Sequence, residues 1–127
     1  MESDVANMTS IWRDHVSMWV KDVSRAIDYV ETRPELDHEK LAYYGYSWGA
    51  EMGAIVPAVE TRRKVSVLAG GLDFQRSLPE VDTINFVSRV KQPVLMLNRR
   101  YDFFFLLNPR RNLSSNCFAR GRIRKNT

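Results

Sequence analysis

Apolar residues between Ser10 and Glu31 recur at intervals of three, four or one, which places them on a single face of a helix. Ser10 is the predicted N-cap, and Pro34 ends the predicted helix soon after Arg33. The polar segment 32–40 that follows is predicted to be a loop. The apolar positions of the helix are Trp12, Val16, Trp19, Val20, Val23, Ile27 and Val30.

Three short apolar runs further along the chain are typical of strands buried on both faces. They are residues 41–46, 65–69 and 93–97. Between the first two runs, the small and apolar residues from Trp48 to about Val59 predict a helix packed closely on the sheet, with an irregular last turn at Pro57. The alternation of strand and helix predicts an α/β fold, in which a parallel sheet carries helices on its faces.

The composition is that of one ordinary globular domain. The chain has 127 residues, of which 44% are hydrophobic and 27% charged, and this excludes a fibrous or wholly disordered protein. No apolar run has membrane-spanning length, and the first residues lack the basic character of a secretory signal, so a cytoplasmic location is the default expectation. With Cys117 as the only cysteine and His15 and His38 as the only histidines, we expect no intramolecular disulfide and no Cys/His metal site.

The sequence from Gly45 to Gly49 fits the pattern G-x-S-x-G at the junction of the first predicted strand and the helix after it. This junction is the setting of a nucleophile elbow, in which a strained turn projects a serine hydroxyl clear of the backbone. Glycines at both ends let neighbouring backbone pass close to the turn. Ser47 is therefore a candidate nucleophile, next to Tyr46, with the amide of Trp48 aimed at a developing oxyanion. The alternative is that Ser47 only caps the helix.

A serine nucleophile needs a base to take its proton and an acid to orient that base. Asp102 follows the third predicted strand and is expected at the same sheet edge as Ser47. Asp73, just after the second strand, is a second candidate acid. The alternative for either aspartate is a role in capping its loop.

Four segments, in order along the chain, resemble one known superfamily. Their sequences are DVSRAIDYVETRP (22–34), LAYYGYSWG (41–49), GGLDFQ (70–75) and QPVLMLNRRYDFFF (92–105). The chain resembles the α/β-hydrolase superfamily, and in particular the dienelactone hydrolase and prolyl oligopeptidase-type (peptidase S9-like) catalytic domain that is attached to some bacterial serine/threonine kinases. The resemblance extends over roughly two thirds of the chain.

The resemblance implies a role for three residues. Ser47 would be the nucleophile, the Trp48 amide half of the oxyanion hole, and Asp102 the acid. The implied reaction is hydrolysis of a small ester or peptide through an acyl-enzyme, without a metal or an organic cofactor.

The departures from the superfamily pattern predict an incomplete domain. Members carry the catalytic histidine after the acid, whereas no histidine follows Ser47, and neither His15 nor His38 is expected to lie where the base must be. The early strands and the loop with the second oxyanion donor have no counterpart in the sequence. Loss of one such donor alone costs about 10² to 10³ in rate, so we expect negligible turnover. The first strand would then present an unpaired edge that favours aggregation or self-association.

The chain is expected to divide into a partial α/β-hydrolase domain of about three parallel strands at 1–107 and a basic, disordered tail at 108–127. The first part holds 13 basic and 15 acidic residues, a net charge of −2, while the tail holds 6 basic residues and no acidic ones, a net charge of +6. The sequence after about Phe105 has no helical apolar period, which suggests either translation out of frame or an open reading frame that is a degraded fragment. The alternative function is a binding module whose tail grips nucleic acid or another acidic partner, although no nucleic-acid motif accompanies the charge.

Overall fold

The structure is a computed structural model that describes residues 7–70, 72 and 77–98. The aspartates Asp73 and Asp102 and the predicted tail lie outside these residues. In chain order the elements are α1 (Ser10–Glu31), a 3₁₀ turn (His38–Lys40), β1 (Ala42–Tyr46), α2 (Trp48–Glu51), α3 (Ile55–Val59), β2 (Val65–Ala69), α4 (Ile84–Val87) and β3 (Val94–Leu97).

Helix α1 has the bounds that its apolar spacing predicts, but the N-cap is Thr9 and not Ser10. The Thr9 hydroxyl accepts a hydrogen bond from the backbone N–H of Trp12 at 3.2 Å, which satisfies one of the free amides of the first turn. Both residues are acceptable caps by type, so the pattern alone placed the cap one position late.

The three strands form one parallel sheet in the order β1-β2-β3, which confirms the predicted fold class. The register aligns Gly45 with Leu68 and Leu68 with Met96. Aligned residues of neighbouring strands point to the same face, so the row from Gly45 to Met96 faces one side of the sheet.

Two apolar clusters form the core on that side. One joins β2 and β3 to α2 and α4, and its buried members are Ala50, Ala54, Leu68, Leu72, Val87 and Val94. The other joins α1 to α3 and the segment before α4, and its buried members are Trp12, Val16, Met52, Ile55, Val56 and Val81. Helix α1 thus packs on α3, and Tyr43 of β1 also packs against this cluster.

The opposite face of the sheet is open, and the prediction that the strands are buried on both faces is wrong for β1 and β3. Tyr44 and Tyr46 are 67% and 66% exposed, and Leu95 and Leu97 are exposed on the same face of β3, two strands away. The reason is topological, because the helices of the described residues pack against the face that carries Leu68 and leave the other without a layer.

The helix predicted from Trp48 to about Val59 is instead two short helices separated by residues 52–54. The break falls at Gly53 and not at Pro57, because Pro57 lies in the first turn of α3, where no helical N–H is required. A Cβ on Gly53 would lie 2.3 Å from a methyl of Leu68. The chain therefore approaches the sheet too closely here for any side chain.

Within the described ranges, no helix has the length and apolarity needed to cross a membrane.

Candidate active site

Ser47 occupies the turn between β1 and α2 in a backbone conformation that L-amino acids rarely adopt. Its φ is 51° and its ψ is −116°, and it is the one non-glycine residue of positive φ in the described part of the chain. Such a conformation costs on the order of 1–3 kcal/mol and persists only where the surroundings enforce it.

Three backbone hydrogen bonds hold this turn. The N–H of Ser47 donates to the carbonyl of Ala69 at 2.8 Å, which ties the turn to the end of β2. The carbonyl of Ser47 accepts from the N–H groups of Ala50 and Glu51 at 2.8 and 3.1 Å. The turn is thus fixed on both sides of the serine.

The Ser47 side chain is exposed and makes no capping hydrogen bond to α2. The alternative interpretation from the sequence was that this hydroxyl serves as a helix cap. A hydroxyl that is exposed and does not bond to its own helix is available to a molecule outside the protein.

The two glycines of the pattern differ in what the structure requires of them. A Cβ on Gly45 would lie 2.3 Å from the carbonyl oxygen of Gly49 and 2.8 Å from the amide nitrogen of Ala50, so only glycine fits there. A Cβ on Gly49 would meet nothing within 4 Å. The steric reason predicted for both glycines therefore holds for Gly45 and is wrong for Gly49.

Tyr43 reaches this turn from β1, and sequence reasoning did not single it out. Its hydroxyl donates to the carbonyl of Gly49 at 2.6 Å. Burial raises the pKa of Tyr43 above its usual value, and the nearby Arg63 partly offsets that rise. The signal in the sequence was the alternation of a strand, since Tyr43 and Gly45 are two residues apart and share a face.

Trp48 follows the serine and connects the turn to α1. Its ring packs edge-on against Trp19, with centroids 4.6 Å apart, and Trp19 in turn contacts Trp12 and His15 at 5.5 and 5.6 Å. Trp48 remains 39% exposed beside Ser47. Helix α2 has only four residues, so the dipole behind the Trp48 amide is weaker than the predicted longer helix would supply.

Comparison with models of known protein families identifies the family of this chain. The model of the dienelactone hydrolase family matches residues 2–122. The chain belongs to the dienelactone hydrolase family. This family consists of hydrolases of the α/β-hydrolase superfamily, and the three parallel strands of the chain are consistent with part of that fold. Neither the curated proteins nor the solved structures yield a significant match.

The family match extends beyond residue 107, where the sequence predicts that the hydrolase domain ends. Residues 108–122 belong to both the matched range and the predicted tail. They lie outside the described residues, as do the basic side chains proposed for binding an acidic partner.

The two histidines of this dienelactone hydrolase-family chain lie on other elements than the serine. His38 begins the 3₁₀ turn ahead of β1 and is exposed. Residues 39–46 separate it from Ser47, and the five residues of β1 among them span about 16 Å at about 3.3 Å per residue, far beyond hydrogen-bond reach. His15 lies in α1 against the ring of Trp19.

The sheet edge where the candidate acids are expected is well defined. The register aligns Tyr46 with Ala69 and Ala69 with Leu97, so all three strands end together. The N–H of Gly70 donates to the carbonyl of Leu97 at 3.1 Å and continues the ladder past the strand end. Asp73 and Asp102 themselves lie outside the described residues. In the sequence, Asp73 comes three positions after Gly70, and Asp102 comes five positions after Leu97.

Proposed function

We propose that Ser47 is the nucleophile of a serine hydrolase that cleaves small esters or peptides through an acyl-enzyme. The strained backbone of an exposed serine at a strand-to-helix turn carries this proposal. A strained and exposed serine, held by hydrogen bonds on both sides, is the arrangement that a nucleophile elbow requires.

The chemistry assigned to the site is acyl transfer to water. The Ser47 oxygen attacks the substrate carbonyl carbon while a base takes the hydroxyl proton, and the Trp48 amide donates to the oxyanion that forms. Collapse of this intermediate expels the alcohol or amine, which leaves with the proton from the base. Water then attacks the acyl-enzyme, which releases the carboxylic acid product and restores the Ser47 hydroxyl. Asp102 is proposed to orient the base in both steps.

The proposed mechanism needs a general base, and we expect that this chain does not supply one by itself. No histidine follows Ser47, and His38 is a strand length away. An unactivated serine hydroxyl is a weak nucleophile, so we expect the 127-residue chain alone to have negligible turnover.

Chemical rescue tests the proposal directly. A fluorophosphonate reacts covalently with an activated serine, and added imidazole can serve as the general base that the chain lacks. We expect slow labelling of the chain in buffer and faster labelling as imidazole is added. The Ser47→Ala variant should lose the imidazole-dependent part completely.

The Ser88→Ala variant is the matched control, because Ser88 is an exposed serine at the end of α4, remote in sequence from the turn. It should be labelled at the native rate. Imidazole-dependent labelling that survives in Ser47→Ala contradicts the assignment of the nucleophile. Rapid labelling of Ser47 without imidazole contradicts the expected inactivity, because it would require a base within the chain.

A further inference from the structure

The peptide unit that joins Gly49 to Ala50 is held from both of its ends. Its N–H donates to the carbonyl of Ser47 at 2.8 Å. Its carbonyl accepts from the hydroxyl of Tyr43 at 2.6 Å. Because a peptide unit is planar and rigid, the hydroxyl that fixes the carbonyl also fixes the direction of the N–H that holds Ser47.

Helix α2 leaves the Gly49 carbonyl in need of this donor. In a regular helix the N–H of Gly53 would donate to Gly49. It donates instead to Ala50 at 3.0 Å, because the chain turns away at residues 52–54. The Tyr43 hydroxyl takes the place of the backbone donor where the helix ends after one turn.

The same carbonyl is in contact with Gly45 on its other side. A Cβ on Gly45 would lie 2.3 Å from the Gly49 oxygen, so the carbonyl fills the space that a side chain would occupy. The hydroxyl and the bare backbone of Gly45 together leave the peptide one orientation.

Tyr43 is itself held by a buried arginine. The Arg63 guanidinium lies 5.1 Å from the centre of the Tyr43 ring, and Arg63 is only 4% exposed. One of its nitrogens donates to the carbonyls of Val56 and Glu60 at 2.8 and 2.6 Å. These bonds fix the cation over the ring, and the cation–π contact fixes the ring under the turn.

We propose that Tyr43 is a positioning residue for the Ser47 nucleophile, which it orients through the Gly49–Ala50 peptide unit. The inference rests on the proposed function of Ser47 for its catalytic consequence. Tyr43 touches neither the substrate nor the reacting atoms. Its hydroxyl restricts the turn from which Ser47 and the Trp48 amide project.

Amide hydrogen exchange tests the structural part without any need for reactivity. In Tyr43→Phe the ring and its contact with Arg63 stay, and only the hydroxyl is lost. We expect the Ala50 amide to exchange about 3- to 10-fold faster, the range that one hydrogen bond of ordinary net strength commands. The amide of Ser66, bonded to Pro93 in the sheet at 2.9 Å, should be unchanged.

The matched control is Tyr44→Phe, which removes the same hydroxyl from the next residue on the open face of β1. It should leave both amides at native rates. Equal exchange of Ala50 in native protein and Tyr43→Phe overturns the proposal, as does a rise at Ser66 equal to the rise at Ala50, because that is general destabilisation.

Labelling by the fluorophosphonate in imidazole tests the catalytic part. We expect Tyr43→Phe to lower the limiting labelling rate about 3- to 10-fold and to leave unchanged the probe concentration that gives half of that rate. A change in that concentration alone contradicts positioning. If native Ser47 is not labelled at all, the proposed function fails, while the exchange experiment still decides whether Tyr43 holds the turn.

Should Tyr43→Phe fail to fold, the native chain gives the answer. The exchange rate of each tyrosine hydroxyl proton with solvent can be measured by NMR, from the hydrogen–deuterium isotope shift of the ring carbon that bears the oxygen. We expect slow exchange at Tyr43 and fast exchange at the exposed Tyr44. Fast exchange at Tyr43 overturns the proposal.

Discussion

The backbone conformation of Ser47 has an energetic cost that a glycine at this position would avoid. Glycine adopts positive φ without a Cβ penalty, although it loses more freedom on folding than other residues. The strain of on the order of 1–3 kcal/mol exceeds that entropic cost of about 0.5–1 kcal/mol. Stability and the proposed reactivity are therefore opposed at this single residue.

Substitution of Ser47 by glycine is expected to make the chain more stable than substitution by alanine, by about 1 kcal/mol in the free energy of unfolding. Alanine is the matched reference because it also lacks the hydroxyl but keeps the Cβ that strains the turn. Urea denaturation of both variants measures the difference. An alanine variant that is as stable as the glycine variant would show that the turn holds no strain.

The two glycines of the turn give a second expectation at the residue scale. Gly45→Ala places a Cβ within 2.3 Å of backbone and should cost about 2–4 kcal/mol, because rigid backbone must move. Gly49→Ala meets open space and should be neutral or slightly stabilising, since alanine is the better helix former. Thermal denaturation of the pair checks this, and equal losses would contradict the close approach at Gly45.

At the scale of elements, one arginine links α1 to the segment before β2. The Arg62 guanidinium bonds to Asp28 and Glu31 at the end of α1, each at 2.8 Å, and to Glu60 at 2.6 Å. This hydrogen bonding from Arg62 lowers the pKa of Glu60 from its usual value to about 2, while the carboxylates raise the pKa of Arg62.

The lowered pKa of Glu60 makes stability depend on pH. Its folded pKa of about 2 lies below the ordinary value of 4.5, so its contribution is complete above pH 4.5 and is lost as the pH falls towards 2. We expect Glu60→Gln to lower the stability at pH 7 and to flatten its decline between pH 5 and 2. Denaturant titrations across that range measure it.

The control for Glu60 is an exposed ion pair. Lys64 and Glu39 are 2.9 Å apart, with side chains 58% and 72% exposed, and such pairs contribute little. Glu39→Gln should therefore change the pH profile less than Glu60→Gln. If the two variants have the same profile, the Arg62 network does not stabilise the contact between α1 and the segment before β2.

The sequence predicts the longer elements better than the connections between them. The apolar period predicts α1 to within one or two residues at each end, and the apolar run at 65–69 predicts β2. The break at Gly53 and the four-residue α4 escape prediction, because close approach to Leu68 and single-turn packing depend on distant parts of the chain. The pattern at 45–49 locates Ser47 because it is local in the sequence. The hydrogen bond from Tyr43 to Gly49 could not be predicted, because it depends on how the turn folds back against β1.

At the scale of the whole molecule, the layers are unequal. Parallel sheets are ordinarily covered on both faces, whereas the described sheet carries helices on one face and exposes tyrosines and leucines on the other. Strand β1 also lies at an edge of the described sheet. An exposed apolar edge strand is a template for pairing with other chains.

We therefore expect the chain to self-associate as its concentration rises, and a lysine on the open face to oppose this. Tyr44→Lys places a charge at the centre of the exposed side of β1, where Tyr44 is 67% exposed. Sedimentation velocity over a concentration series measures the effect. Met18→Lys, at an exposed position of α1, is the control, and an equal reduction in both variants would show that net charge and not this face governs association.

Under the proposed function, the folded turn is what makes Ser47 a nucleophile. The most direct measurement is the rate at which a fluorophosphonate labels Ser47, followed by peptide mass mapping, with and without imidazole, in native buffer and in urea. We expect labelling at Ser47 that increases with imidazole in the folded chain and is lost in urea. Labelling that falls on other serines, or that proceeds at Ser47 equally well in the unfolded chain, would contradict the claim.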